Sequence, residues 1–359
     1  MTTKLSEATR GFDPKPGISH RPDRLYLAPM EGVMDATMRD IITRQGRFDL
    51  CVTEFLRVVD ELLPAKVFYR LCPELHHGAR TSNGTPVRVQ LLGNNPEAMA
   101  ANAARAVALG SPGVDVNFGC PAKTVNRSRG GAVLLTEPDT LYDIVKAIRT
   151  ELPSTQPVTA KMRLGYTDST LALENALALE SAGAAEIVIH ARTKTDGYTP
   201  PAYWELIAPI AARLHIPVVA NGEVWNRHDY LRCQAQSGVA AVMVGRGALA
   251  VPNVAAVLRD GASPMPWHEV LDRVIALGEH DQAHGKARYM PSRIKQWLNY
   301  LKIGYAEAQA LFDDVRRLRD ADTMDAALRQ AQKHHPSTNV RGSHGEAITE
   351  VSHRTAGGA

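Results

Sequence analysis

The string Asn117-Phe118-Gly119-Cys120-Pro121 sets a thiol three residues after a carboxamide, in a turn bounded by glycine and proline. A thiol with its ordinary pKa near ~8.5 is mostly protonated at neutral pH, so Cys120 can give a proton to a carbon as hydride reaches the neighbouring carbon. Taken alone, it reads equally as a buried thiol in a tight turn. Lys161, two residues before Arg163, can stabilise negative charge on a bound ring or form half of a structural ion pair. His190 alone reads as a satisfied core residue. Asn221-Gly222-Glu223 and Gly245-Arg246-Gly247 suit an anion, because glycine lets backbone N–H groups approach it and Arg246 can pair with it. Singly, these are ordinary turn glycines. Arg127-Ser128-Arg129-Gly130-Gly131 reads either as a hinged loop closing over a site or as a surface loop.

What joins these motifs is their position at the ends of short apolar runs. Strands are predicted at Leu25–Ala28, Leu50–Thr53, Val87–Leu92, Val114–Asn117, Val158–Met162, Glu186–His190, Pro217–Ala220 and Ala241–Val244. Helical patterns separate most of them. The clearest is Pro96–Leu109, with Asn95 as N-cap and Gly110 as the stop. Others start near Ser169 and Asn226 and end before Gly183 and Gly238. Such an alternation predicts an α/β protein built on a TIM (β/α)₈ barrel. No G-x-G-x-x-G follows the first strand, which weighs against a dinucleotide-binding open sheet.

In a barrel the C-terminal strand ends share one rim. Pro29-Met30-Glu31-Gly32, Glu54, Gln90, Cys120, Lys161, His190 and the two glycine motifs then face one mouth. The loops after the seventh and eighth strands often hold phosphate. A phosphate there, with Lys161, Gln90 and His190 nearer the axis, fits flavin mononucleotide (FMN), Lys161 and Gln90 meeting the electron-rich edge of its ring.

The chain has 359 residues, 44% hydrophobic and 22% charged, with a net charge of +3. These values exclude a wholly disordered chain, a fibrous repeat and a disulfide scaffold. No apolar run is long enough for a membrane span or a signal-peptide core. Four scattered cysteines without zinc-finger spacing predict no metal site and fit the reducing cytoplasm. The segmentation expected is a flexible extension over 1–22, a barrel over 23–262, a helical domain over 266–333 and a disordered tail over 334–359. In the helical domain, a helical projection from Ile294 puts Ile294, Trp297, Leu298 and Leu301 on one face, with Arg293, Lys295, Gln296, Asn299, Tyr300 and Lys302 on the other. Between Asp281 and Glu307 stand five Lys or Arg and no acid, which fits a surface for RNA phosphates. A solvated helix face is the plainer alternative.

The chain resembles the tRNA-dihydrouridine synthase family. The matching strings are Ala28-Pro29-Met30-Glu31-Gly32, Val89-Gln90-Leu91, Asn117 to Pro121, Lys161-Met162-Arg163, His190-Ala191-Arg192-Thr193, Asn221-Gly222-Glu223 and Gly245-Arg246-Gly247, in the family's order. The resemblance implies an FMN enzyme that reduces the C5–C6 bond of a tRNA uridine with NADPH, acting as a monomer. It implies FMN contacts from Pro29, Met30, Glu31, Gln90, Lys161, His190, Asn221, Gly222, Glu223, Gly245 and Arg246. It further implies hydride from flavin N5 to C6, a proton from Cys120 to C5, and Asn117 holding the base. Residues 51–60 and 293–300 are most similar to the bacterial subfamily that modifies U16 in the D-loop, implying tRNA contacts from Arg57, Arg293, Lys295 and Tyr300, and further ones from Asn117, Tyr198 and Arg316. Phe118 departs from that subfamily's small or polar residue. The readings set against this one are a flavoenzyme of free pyrimidines, an aldolase-like barrel with Lys161 as Schiff-base lysine, and a non-catalytic tRNA-binding protein.

Overall fold

The computed structural model describes residues 23–335. The expected N-terminal extension and the expected tail beyond residue 335 lie outside the described residues. Eight parallel strands close into a barrel in sequence order: β1 Leu25–Leu27, β2 Leu50–Arg57, β3 Val87–Leu92, β4 Val114–Phe118, β5 Val158–Gly165, β6 Glu186–Thr193, β7 Val218–Asn221 and β8 Val242–Val244. β8 pairs with β1 and closes the ring. Between them run α1 Ala36–Thr43, α2 Ala65–Leu71, α3 Pro96–Ala108, α4 Lys123–Arg127, α5 Pro138–Glu151, α6 Ala172–Ser181, α7 Ala208–Ala211 and α8 Arg227–Ser237. The predicted TIM barrel is therefore the observed fold. Tyr26, Leu50, Val52, Val188, Val219 and Met243 pack together as a separate small cluster of barrel-strand side chains.

Local chemistry explains the predicted boundaries. Asn95 caps α3 by accepting from Ala98 N at 3.0 Å, and Asn226 caps α8 by accepting from Asp229 N at 2.9 Å. Gly238 ends α8 in the left-handed conformation. α6 starts at Ala172 rather than near Ser169, because Asp168 first closes a turn by accepting from Thr170 N. β2, β5 and β6 run three or four residues past their predicted ends. Glu54, Arg163 and Arg192, just past the predicted ends, broke the apolar runs in the sequence, but the backbone ladder continues, pairing Arg57 with Leu92 and Gly165 with Thr193.

After β8 come α9 Arg246–Ala250, α10 Val254–Asp260, α11 Trp267–Ala283, α12 Met290–Leu301, α13 Ala306–Val315 and α14 Ala321–His334. α14 passes the expected end of the helical segment by one residue. On α12 the buried face is the predicted one: Ile294, Trp297, Leu298 and Leu301 are at most 1% exposed. Burying each aliphatic side chain contributes roughly 1.5–3 kcal/mol. Trp297 Nε1 donates to the Leu249 carbonyl of α9 at 3.1 Å, so the helical segment is seated on the barrel rim through a shared core. Arg293 adds a polar tie: its guanidinium pairs with Asp35, the N-cap of α1, at 2.7 Å, and with the fully buried Asp281 of α11.

Candidate active site

A cavity of about 570 Å³ opens at the C-terminal ends of the strands. Its walls include all eleven residues expected to touch the cofactor: Pro29, Met30, Glu31, Gln90, Lys161, His190, Asn221, Gly222, Glu223, Gly245 and Arg246. Cys120, Asn117, Tyr198 and Tyr300 line it too, whereas Arg57, Arg293, Lys295 and Arg316 lie outside its lining. Parallel register is what gathers them, since Asn117 stands opposite Lys161, Arg163 opposite His190, and His190 opposite Asn221. The volume lies in the range of small-molecule sites.

Cys120 is 7% exposed and held from three sides. Asn117 Oδ1 accepts from the N–H groups of Gly119 and Cys120, each at 2.9 Å. Arg163 Nε donates to the Gly119 carbonyl at 2.8 Å, while its Nη1 donates to the carbonyls of Thr193 and Gly197. Ala132 N donates to the Cys120 carbonyl at 3.1 Å. Gly131 packs so closely that a Cβ there would fall 2.9 Å from the Cys120 carbonyl oxygen. The glycine pair 130–131 is thus buried and buttresses the thiol, while Arg127, Ser128 and Arg129 before it are exposed on the surface. Burial pushes the Cys120 thiol above its ordinary value, the Ala122 N–H and then Arg163 only partly opposing, so it carries its proton at neutral pH.

Burial lowers the Lys161 ammonium to about 8, Arg163 adding repulsion and Asp115 partly offsetting it. Lys161 forms no ion pair among the described residues. The residue is part-buried and lines the cavity, which favours a site lysine over half of a structural pair. Burial, followed by the charges of Arg163, Lys161, Arg192 and Arg246, drives His190 well below the usual imidazole range, so its ring is neutral. Gly222 has φ +118°, and a Cβ there would meet His190 Cδ2 at 2.8 Å.

The rim after β7 and β8 is cationic in the way an anion requires. Arg192 and Arg246 both pair with Glu223. Burial alone would raise the Glu223 carboxyl, but the donors Arg192 and Trp225 win and hold it below the usual carboxylate range. One buried guanidinium nitrogen of Arg192 has no protein partner, and no side chain caps the first turn of α9. An orphaned cationic donor and an uncapped helix start beside a glycine-lined cavity fit a phosphate group. Lys161, neutral His190 and the Gln90 amide deeper in the cavity fit a flat polar ring. The residues therefore suit FMN.

Sequence reading missed several residues. Arg163 and Arg192 stood inside recognised strings, yet nothing in a string says which backbone carbonyls a guanidinium will reach. Tyr198, which the resemblance did supply, has its ring 5.2 Å from each of the guanidiniums of Arg163 and Arg246, a pairing no string discloses. Asp115 is a buried carboxylate on β4, and its partners Gln90 and Thr159 on the neighbouring strands, which no string discloses, mark it as inward-facing. The basic stretch also changes meaning. Of its five cations, Arg293 is paired with Asp35 and Asp281, and Lys295 Nζ donates to the Leu318 carbonyl at 2.8 Å. Lys286 and Arg288 are exposed, as are Arg57 by the barrel mouth and Arg316 at the end of α13. The charge offered to solvent is smaller than the count along the chain.

Residues 26–335 match the dihydrouridine synthase family model. The tRNA-dihydrouridine(16) synthase of Shewanella oneidensis is 54% identical over 311 residues, spanning 87% of this chain and 99% of that one. The enzymes of the same name from Pseudomonas putida and Haemophilus influenzae are 50% and 48% identical, over 85% and 86% of this chain and 96% and 99% of theirs. Among solved structures, a 2-naphthoyl-CoA reductase complex aligns with a TM-score of 0.51 at 13% identity, over 66% of this chain and 50% of that one, a likeness of fold alone.

Proposed function

The chain belongs to the dihydrouridine synthase family, and on that premise we propose that it reduces the C5–C6 bond of uridine 16 in the tRNA D-loop, with FMN as cofactor and NADPH as electron source. The observation that carries the reading is a buried, protonated thiol, Cys120, on the same cavity as Lys161, neutral His190 and the arginine-rich phosphate corner. FMN, when bound, supplies the hydride. Lys161 holds a positive charge against the electron-rich edge of the ring, and Gln90 and His190 offer it neutral polar contacts. Arg246, Arg192 and the glycine loops hold the phosphate. Cys120 gives its proton to C5 of the uridine, and the burial that keeps it protonated suits it to act as an acid.

A base reaches this cavity only if it leaves its stack. Asn117, Tyr198 and Tyr300 stand on the walls it would pass. Arg57, Lys295, Arg316 and the exposed cations around α12 meet phosphates, while Arg293 keeps α12 in place for that contact. The barrel is the catalytic domain and the helices from α11 onward the tRNA-binding domain.

The test is position-resolved mapping of dihydrouridine in unmodified tRNA incubated with the FMN-loaded protein and NADPH. Product at position 16, lost by about 10²–10⁴-fold in Cys120→Ala with tRNA binding intact, is the expected result. Reduction of free uracil but not of tRNA would replace this reading with a free-pyrimidine reductase. A protein that takes up no FMN would remove the flavin.

A further inference from the structure

Asp115 is fully enclosed in the barrel, 2% exposed, and beyond its field at Lys161 has no part in the chemistry proposed above. Its Oδ1 accepts from Thr159 Oγ1 at 2.6 Å and its Oδ2 from Gln90 Nε2 at 2.7 Å. Gln90 Oε1 in turn accepts from Asn117 Nδ2 at 2.7 Å. Asn117 Oδ1 then takes the N–H groups of Gly119 and Cys120. Three links run from a carboxylate on β4 to the backbone of the thiol.

The polarity of this chain is dictated from both ends. At the Cys120 end stand two N–H donors, which require the oxygen of Asn117. Its NH₂ must then face Gln90, which requires the oxygen of Gln90 there. The NH₂ of Gln90 must consequently find an acceptor on the far side, in the barrel interior, where water does not compete. Asp115 Oδ2 is that acceptor. Without it, Gln90 would bury an unmatched donor and would gain by flipping, which would set donor against donor at Asn117 and release the loop carrying Cys120.

We propose that Asp115 is a positioning residue for Cys120, acting as the hydrogen-bond acceptor that fixes the side-chain amides of Gln90 and Asn117. The role is to accept a hydrogen bond, and the carboxylate charge is incidental to it. Asn at 115 can still present an oxygen to Gln90 while its NH₂ faces the Thr159 hydroxyl; Val cannot. The inference rests on Cys120 being the acid, and its test includes a readout independent of turnover.

Asp115→Val and Asp115→Asn are compared with wild type in two measurements. The first is the rate at which iodoacetamide alkylates Cys120, followed by peptide mass mapping; the other three cysteines are buried in the core. A released loop exposes the thiol, so Asp115→Val reacts about fivefold faster or more, and Asp115→Asn stays within about twofold of wild type. The second separates flavin reduction by NADPH from reoxidation of the reduced flavin by tRNA. A misplaced acid slows only the second step, by about tenfold or more in Asp115→Val, with recovery in Asp115→Asn. An alkylation rate unchanged in Asp115→Val overturns the proposal. So does an Asn variant as impaired as the Val variant, or equal slowing of both steps, since these place the role in charge or in the flavin pocket. Should Asp115→Val not fold, Gln90→Leu cuts the same chain, and alkylation alone decides. Wild-type protein that tRNA cannot reoxidise would defeat the functional reading while leaving the alkylation result to judge this one.

Discussion

Replacing Arg293 by Ala tests whether the helical segment is tied to the barrel as the structure describes. Arg293 is about one-fifth exposed and lies between two carboxylates. Asp35 is partly solvated at 35% exposure, so its share is at the level of a surface pair, about 0–1 kcal/mol. Asp281 differs, being fully buried, with a second oxygen, Oδ2, that has no hydrogen-bond partner. Burial pushes its carboxyl up, and Arg293 is the foremost influence bringing it back. Removing one partner of such a pair leaves a buried charge uncompensated, which costs about 3–5 kcal/mol. At roughly 2–4 °C per kcal/mol for a domain of this size, Arg293→Ala melts about 6–20 °C lower. The double variant Arg293→Ala, Asp281→Asn removes the stranded charge and regains most of the loss. Differential scanning calorimetry of the three proteins reads this directly. A single variant that melts within about 2 °C of wild type would refute the reasoning, because the pair would then be worth no more than a surface contact. The double variant also separates scaffold from contact. A direct phosphate contact by Arg293 would appear as a salt dependence of tRNA binding shallower by about 0.7–0.9 log units per log salt.

Two further outcomes follow from the cavity. In the free protein Lys161 titrates at about 8, and an electron-rich ring edge beside it raises that value. FMN binding therefore takes up a proton at pH 9 and little at pH 7, so affinity weakens as pH rises above about 8. Calorimetry in buffers of different ionisation enthalpy measures the uptake, and its persistence in Lys161→Met would exclude Lys161 as its source. Gly222→Ala forces a Cβ to within 2.8 Å of His190 at a φ of +118°, displacing the ring and the loop together. The purified variant should hold less than about a tenth of the wild-type flavin. Full occupancy would show that the loop adapts.

Much of this protein was legible before any coordinates. Short apolar runs and period-3.6 patterns, with Asn95, Asn226 and Gly238 at helix ends, located most elements, because capping and burial act over a few residues. Strand ends placed the rim residues, because a parallel barrel sets all eight C-terminal ends on one side. The limits were where a polar residue broke an apolar run, as at Glu54 and Arg163, although the backbone ladder went on.

By itself the sequence determined which side chains would meet at the mouth: the thiol, the lysine, the histidine and the glycine loops. Only the tertiary structure decided what each was doing there. Arg293 reads as a free cation along the chain, yet it is neutralised by Asp35, 258 residues away. Asn117 reads as a ligand for a base, yet its oxygen is committed to the backbone of Cys120, and Gln90 is committed to Asp115. The physical reason is that propensity and burial are properties of a residue and its neighbours in sequence. Hydrogen-bond polarity and charge compensation are properties of pairs, and folding alone chooses the partners.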